Sequence, residues 1–337
     1  IFLGRSCKQF YFYGNIDILM NTTVIKYFLL IFSFFIVSCS ENVSNKKYSY
    51  TEEQNLFLES LGWAGFESSF IKATSLTDNL HVIFGYGGNI LVSIGKDGTL
   101  IVDSQFPDTS SIILEKINEL GGEKVDFVIN THFHFDHAEG NRAYGPLGAD
   151  IYAHENTLDF FKKGTYINLV SIGWPQQPYE EDAIPNILYK EKLSLNINDH
   201  MINVLHFGPA HTTGDSIIHF PNANVIHLGD VGNLEVAPFI DVDNGGSIDG
   251  MIYSLEKVLN IIDENTIVVP GHGDIANKSI IETYLNGLVQ VRNKIEEFIS
   301  EGKTLAEVQE INPAFEYFPI GPELLNDRVF TSLSKTN

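Results

Sequence analysis

Thr131-His132-Phe133-His134-Phe135-Asp136-His137 places three imidazoles and one carboxylate within six consecutive residues, in a chain holding eleven histidines altogether. The apolar run Val125–Asn130 leads into this stretch and reads as a buried strand, so the polar cluster follows directly on a strand end. In extended backbone His132 and His134 share one face, while Asp136 and His137 lie past the point where the chain turns. Such a loop can offer ligands to two metal ions standing ~3.5–4 Å apart. Thiolates have no part in it. The two cysteines, Cys7 and Cys39, both precede the globular region, so a metal site must be built from imidazole and carboxylate.

Three later residues extend the pattern. His211 lies in the turn Gly208-Pro-Ala-His-Thr-Thr-Gly-Asp215, Asp230 ends the run Val225-Ile-His-Leu-Gly-Asp, and His272 follows a strand in Pro270-Gly-His-Gly273. Glycine beside each of them lets the backbone approach closely and points the ligand outward from a sheet edge. Imidazole and carboxylate without thiolate suit Zn²⁺, with Fe and Mn as alternatives.

Around these residues the chain alternates strands and helices. Strands are expected at His81–Gly85, Asn89–Ile94 and Thr99–Asp103, at Ile151–Ala153, and again at Leu193–Ile197, Met201–His206, Ser216–Phe220, Val225–Leu228 and Thr266–Val269. Helices are expected over Ser110–Leu120, about Glu155–Lys162 and Lys278–Ser300. A further helix starts at the capping residue Ser247, with Ile248, Met251, Ile252, Leu255, Val258, Leu259 and Ile262 on one face. Residues 171–185 read as a Pro- and Gly-rich loop. Two blocks of strands, each trailing helices, make an α/β fold in which two sheets pack together with helices outside, an αββα sandwich.

Composition sets the bounds. The 337 residues are 44% hydrophobic and 19% charged, which is globular composition and excludes a wholly disordered chain. With 21 Lys and Arg against 43 Asp and Glu the net charge is −22, and no basic run exceeds Lys46-Lys47 or Lys162-Lys163. Nucleic acid is therefore not an expected partner; a small-molecule substrate is. The first residues read as an address. Met20 is the expected start, with residues 1–19 an upstream extension. Residues 20–38 carry Lys26, an apolar run from Tyr27 to Val37 and small residues at its end, the pattern of a signal peptide. Ile36-Val37-Ser38-Cys39 resembles a bacterial lipobox, so Cys39 is expected to carry lipid and attach the exported protein to a membrane on the periplasmic side. Residues 39–58 then read as a tether and 59–337 as the folded domain.

From about Asn79 to Ile299 the chain resembles the metallo-β-lactamase superfamily, because Asp103, the His-x-His-x-Asp-His stretch, His211, Asp230 and His272 occur in that family's order. The resemblance implies two zinc ions. His132, His134 and His211 would hold one, Asp136, His137 and His272 the other, and Asp230 would bridge them, with Asp103 orienting the ligand loop behind. It implies a hydrolase in which a hydroxide shared by the two ions attacks a carbonyl, Asp136 also orienting that nucleophile. The stretch His132–Asn141, with its Gly-Asn ending, is similar to zinc β-lactamases and points to a β-lactam or related cyclic amide or ester. Two departures matter: the commonest zinc β-lactamases have cysteine where Asp230 stands, and a lysine where Asn233 stands. Asp230 is instead similar to the lactonase and glyoxalase II-like thioesterase branches, the alternative activities. A metal-binding protein without catalysis is the alternative of another class. Tyr86, Trp174 and Asn233 are the candidate substrate contacts on the metal rim.

Overall fold

Successive side chains of a strand point to opposite faces, and the central strands of this chain carry apolar residues on both. The computed structural model describes residues 48–336. The upstream extension, the signal peptide, Cys39 and residues 39–47 of the tether lie outside them. The first sheet contains β1 (Lys72–Ser75), β2 (Leu80–Phe84), β3 (Ile90–Gly95), β4 (Gly98–Val102), β5 (Phe127–Ile129), β6 (Asp150–His154) and β9 (Ile187–Tyr189), in that spatial order. Its pairs are antiparallel from β1 to β4 and parallel from β4 to β9. β7 (Thr165–Asn168) and β8 (Gly173–Gln176) form a separate antiparallel hairpin. The second sheet runs β10 (Lys192–Ile197), β11 (His200–Leu205), β12 (Ile217–Phe220), β13 (Val225–His227) and β14 (Ile267–Val269), antiparallel except for the parallel β13–β14 pair.

Alternation sorts the core into three layers. Leu80, Val82, Leu91, Leu100 and Val102 of the first sheet meet Ile202, Val204, Ile218, Phe220 and Val269 of the second in one buried cluster. Their strand neighbours Ile83, Ile90, Val92, Ile101 and Val128 face the other way and pack with Ile113 and Ile117 of the helix Ser110–Glu119. Ile217, Ile226 and Val268 turn outward from the second sheet onto the helices Ile248–Leu259 and Lys278–Ser300. The result is the expected αββα sandwich. Ser247 does cap its helix, its side chain accepting from the Gly250 N–H, and Ile248, Met251, Leu255 and Val258 are buried.

This topology also gathers the polar cluster. The parallel pairs β4–β5 and β13–β14 deliver Asp103, the 131–137 loop, Asp230 and His272 from strand C-terminal ends, the edge where open α/β sheets bind ligands.

Several elements differ from expectation. The tether does not extend to residue 58: Glu52–Ser60 is a helix, opened by a reciprocal Thr51–Gln54 capping box, and it buries Gln54, Phe57 and Leu58. Its three hydrophobic residues, Leu56, Phe57 and Leu58, sit among Glu, Gln and Asn, too few to show a helical period in the sequence. The Pro- and Gly-rich loop contains β8, whose Trp174 is fully buried. Two helices absent from the sequence reading, Leu305–Ile311 and Pro322–Thr336, close the second outer layer with Val308, Leu325 and Val329.

Phe57→Ala should cost about 3–5 kcal/mol in urea unfolding, as for a large side chain removed from a core. Leu56→Ala, at a position 59% exposed, should stay within about 0.5 kcal/mol. Equal effects would mean that the helix is not docked.

Candidate metal centre

Asp103 is the anchor. It is fully buried and holds φ at +66°, a left-handed conformation rare for a residue other than glycine. Its Oδ1 accepts the Thr131 N–H at 2.7 Å, and its Oδ2 accepts the Thr131 hydroxyl at 2.8 Å and His137 Nδ1–H at 2.7 Å. One carboxylate therefore fixes both ends of the ligand loop. Behind it Asn130 and Asn141 exchange amide hydrogen bonds of 2.7 and 3.2 Å, which assigns the Gly-Asn ending of the motif a positioning role.

These partners set which nitrogen of each ring carries the proton. Because the Thr131 hydroxyl donates to Asp103, its oxygen accepts from His132 Nδ1, 3.0 Å away. His132 Nε2 is left as a buried acceptor without a partner. His211 Nδ1 donates to the Phe239 carbonyl at 2.7 Å, so its Nε2 presents a lone pair. His134 Nε2 donates to Asp241 at 2.9 Å, which turns its Nδ1 toward His211 Nε2, also 2.9 Å away. Two neutral rings so arranged face each other lone pair to lone pair. Only a proton or a metal cation between them relieves that repulsion.

The second half is richer in charge. His137 Nε2 stands 3.2 Å from His272 Nε2 and 3.1 Å from Asp230 Oδ1; His272 Nε2 is 3.1 Å from Asp136 Oδ2. Asp230 also reaches the first half, with Oδ2 3.9 Å from His211 Nε2. Ligand atoms of His132, His134 and His211 all lie within 4.8 Å of one another, as do those of Asp136, His137 and His272, and those of His132, His137 and Asp230. Burial, then the neighbouring imidazoles, hold His132 well below the usual imidazole range, leaving it an unprotonated donor. Burial also acts to lower His137, but Asp230, Asp136 and Asp103 outweigh it and raise that ring well above the ordinary value. Burial acts to raise Asp230, yet His272 and His137 hold it well below the carboxylate range. Buried carboxylates without a full set of donors demand a cation, and a metal ion displaces the proton that His137 would otherwise hold. Nitrogen and oxygen donors of this kind fit a divalent ion such as zinc.

Two glycines make room. A Cβ on Gly88 would overlap the His137 ring, and one on Gly271 would overlap the Asp230 carboxylate. The turn Tyr86–Gly88 is thus backing for the metal cluster. Tyr86 is buried, and its hydroxyl accepts the Glu67 N–H at 2.6 Å. Trp174 is fully buried, stacked on Phe135 behind the ligand loop, and so cannot touch a substrate as the sequence reading expected. Asn233 pairs with His272 through the backbone, but its side-chain oxygen accepts the Glu235 and Val236 N–H groups of its own turn. A cleft of about 590 Å³ opens instead beside His272, lined by Phe70, Lys72, Phe84, Leu234, Glu235 and Asp274 among others.

Asp241 was not singled out by the sequence reading. It accepts from His134 Nε2 and from the Asn244 side chain at 2.7 Å, and it is fully buried. The available signal was a carboxylate directly after the apolar stretch Ala237-Pro-Phe-Ile240.

Residues 84–272 match the sequence model of the metallo-β-lactamase superfamily. The chain belongs to that superfamily, a class of metallo-hydrolases. It is 24% identical to a protein named "probable metallo-hydrolase" from Methanocaldococcus jannaschii, over 58% of this chain and 92% of that one. It is 22% identical to a type 2 metallo-β-lactamase of Bacteroides fragilis, over 64% and 84%. A "probable hydroxyacylglutathione hydrolase" of Schizosaccharomyces pombe matches at 25% identity over 63% and 75%. Among solved structures, the DIM-1 metallo-β-lactamase superposes with a TM-score of 0.53 at 20% identity, covering 65% of this chain and 96% of that one.

Asp241→Asn should weaken zinc binding about 10–100-fold, as loss of an outer partner to a ligand histidine does. Competition with a chromogenic chelator measures it, and an unchanged circular dichroism spectrum shows the fold intact. Unaltered affinity would remove Asp241 from the site.

Proposed function

We propose that the chain is a dinuclear zinc hydrolase of small carbonyl compounds, with His132, His134 and His211 holding one ion, Asp136, His137 and His272 the other, and Asp230 between them. The observation that supports this most is the pair of inward lone pairs on His134 and His211, 2.9 Å apart, together with a carboxylate that approaches both histidine groups. When bound, two such ions supply Lewis acidity and lower the pKa of a shared water toward ~7. The protein's own contribution is orientation. Asp103, Asp241 and the Phe239 carbonyl each fix a ring, so the donor atoms are in place before an ion or substrate arrives. Asp136, beside His272, is placed to accept a hydrogen bond from the nucleophile and orient it.

For the substrate we favour a β-lactam or related cyclic amide or ester. The similarity to type 2 metallo-β-lactamases supports it. Asp230 supports the second reading, a lactone or thioester, as does the S. pombe relative. Lys72 is the only basic side chain lining the cleft beside His272, and it makes no ion pair with any described residue. Export and lipid attachment through Cys39 rest on the sequence of residues 20–39 alone.

Turnover of nitrocefin, a γ-lactone and a glutathione thioester by the zinc-loaded protein, with and without chelator, tests this reading. Chelator-sensitive hydrolysis of at least one is expected, and the substrate favoured selects the branch. Bound zinc with no turnover of any would overturn it in favour of a metal-binding protein without catalysis. Cells fed a labelled lipid precursor should label the protein, and Cys39→Ala should abolish the label; label retained in that variant contradicts lipidation at Cys39.

A further inference from the structure

The cleft beside His272 has a neighbour across Leu234. A second cavity of about 630 Å³ lies against the Asn233–Ala237 segment, and Leu234 and Glu235 line both. Its other walls come from the helix Lys278–Ser300, chiefly Ile280, Thr283 and Tyr284, and from residues 316–320. Glu235 and Glu316 are the only charged residues among its lining, which includes no Lys, Arg or His. Four large apolar side chains that the fold leaves exposed converge on it: Val236 at 40%, Ile280 at 44%, Tyr317 at 37% and Ile320 at 60%. Apolar surface concentrated in one concave place marks a binding site more than scattered exposure does.

The shared wall is tied to the metal centre. The Leu234 N–H donates to the His272 carbonyl at 3.0 Å, and at the far end of the segment the Ala237 N–H donates to the Ile320 carbonyl at 2.8 Å. A molecule whose carbonyl stands at the metal cluster and whose remainder passes over Leu234 would reach the second cavity. A separate anionic ligand is disfavoured there, because Glu235 and Glu316 repel it and no basic group receives it.

We propose that this cavity receives a neutral apolar arm, an acyl or alkyl chain, of the substrate hydrolysed at the metal cluster. This rests on the hydrolase reading above and adds the substrate class: a carbonyl compound with a long hydrocarbon substituent.

The test is a chain-length series of p-nitrophenyl esters, acetate to decanoate, turned over by the zinc-loaded protein. kcat/KM should rise about threefold to fourfold per added methylene until the cavity is filled, the increment expected for a buried CH₂. Ile280→Glu, at an exposed position on the rim, should flatten the series and leave acetate turnover unchanged. A flat series in the parent, or the parent's slope surviving in the variant, overturns the proposal. Sedimentation of both proteins covers the other occupant: a parent dimer that Ile280→Glu dissociates, with the slope unaltered, makes the cavity a contact between two copies. If no ester is hydrolysed, the hydrolase reading fails for esters, and binding of the neutral apolar dye N-phenyl-1-naphthylamine decides the cavity separately. Dye bound by the parent and lost in Ile280→Glu supports it; no binding overturns it.

Discussion

The ligand loop that begins the metal cluster depends on one buried carboxylate. Asp103 sits in a left-handed conformation at the end of β4 and receives three hydrogen bonds, two from Thr131 and one from His137. Those bonds orient His137 directly and His132 through the Thr131 hydroxyl, so both rings turn Nε2 inward. Asp241 and the Phe239 carbonyl orient His134 and His211 in turn. Each of these four rings is held from behind through its other nitrogen, and the ligand atoms converge as a consequence. Removing the charge behind a ring would cost orientation more than contact.

The fold places these groups with little freedom. Asp103 and the ligand loop leave neighbouring parallel strands in one sheet; Asp230 and His272 leave neighbouring parallel strands in the other. Because the inter-sheet layer is tightly apolar, from Leu80 and Leu100 to Phe220 and Val269, the two strand pairs are locked face to face. Gly88 and Gly271 then let the backbone come against His137 and Asp230, where any side chain would collide. Core packing and site geometry are the same constraint expressed at two depths.

Much of this was readable beforehand, for physical reasons. Turn-bounded apolar runs such as β4 and β12, and the helical spacing from Ile248 to Val258, gave the two layers, because both depend on which residues meet the core. The seven cluster residues stood out because imidazole and carboxylate are rare at strand ends in such density. What stayed hidden involves contacts distant in sequence. Asp241 meets His134 across 107 positions, and nothing near Asp241 signals a histidine partner. Trp174 looked like a rim aromatic because it lies among prolines and glycines, yet β8 carries it under Phe135. The helix Glu52–Ser60 shows no helical period in the sequence, because most of it is polar and only Phe57 and Leu58 join the hydrophobic core.

Under the proposed function two groups of side chains, joined by Asp230, would hold two cations. Diffraction from zinc-soaked crystals at the zinc absorption edge tests it most directly. Two anomalous peaks are expected, one among His132, His134 and His211 and one among Asp136, His137 and His272, with an Asp230 oxygen facing both. A single peak, or zinc bound elsewhere with these rings hydrogen-bonded to one another, would contradict it.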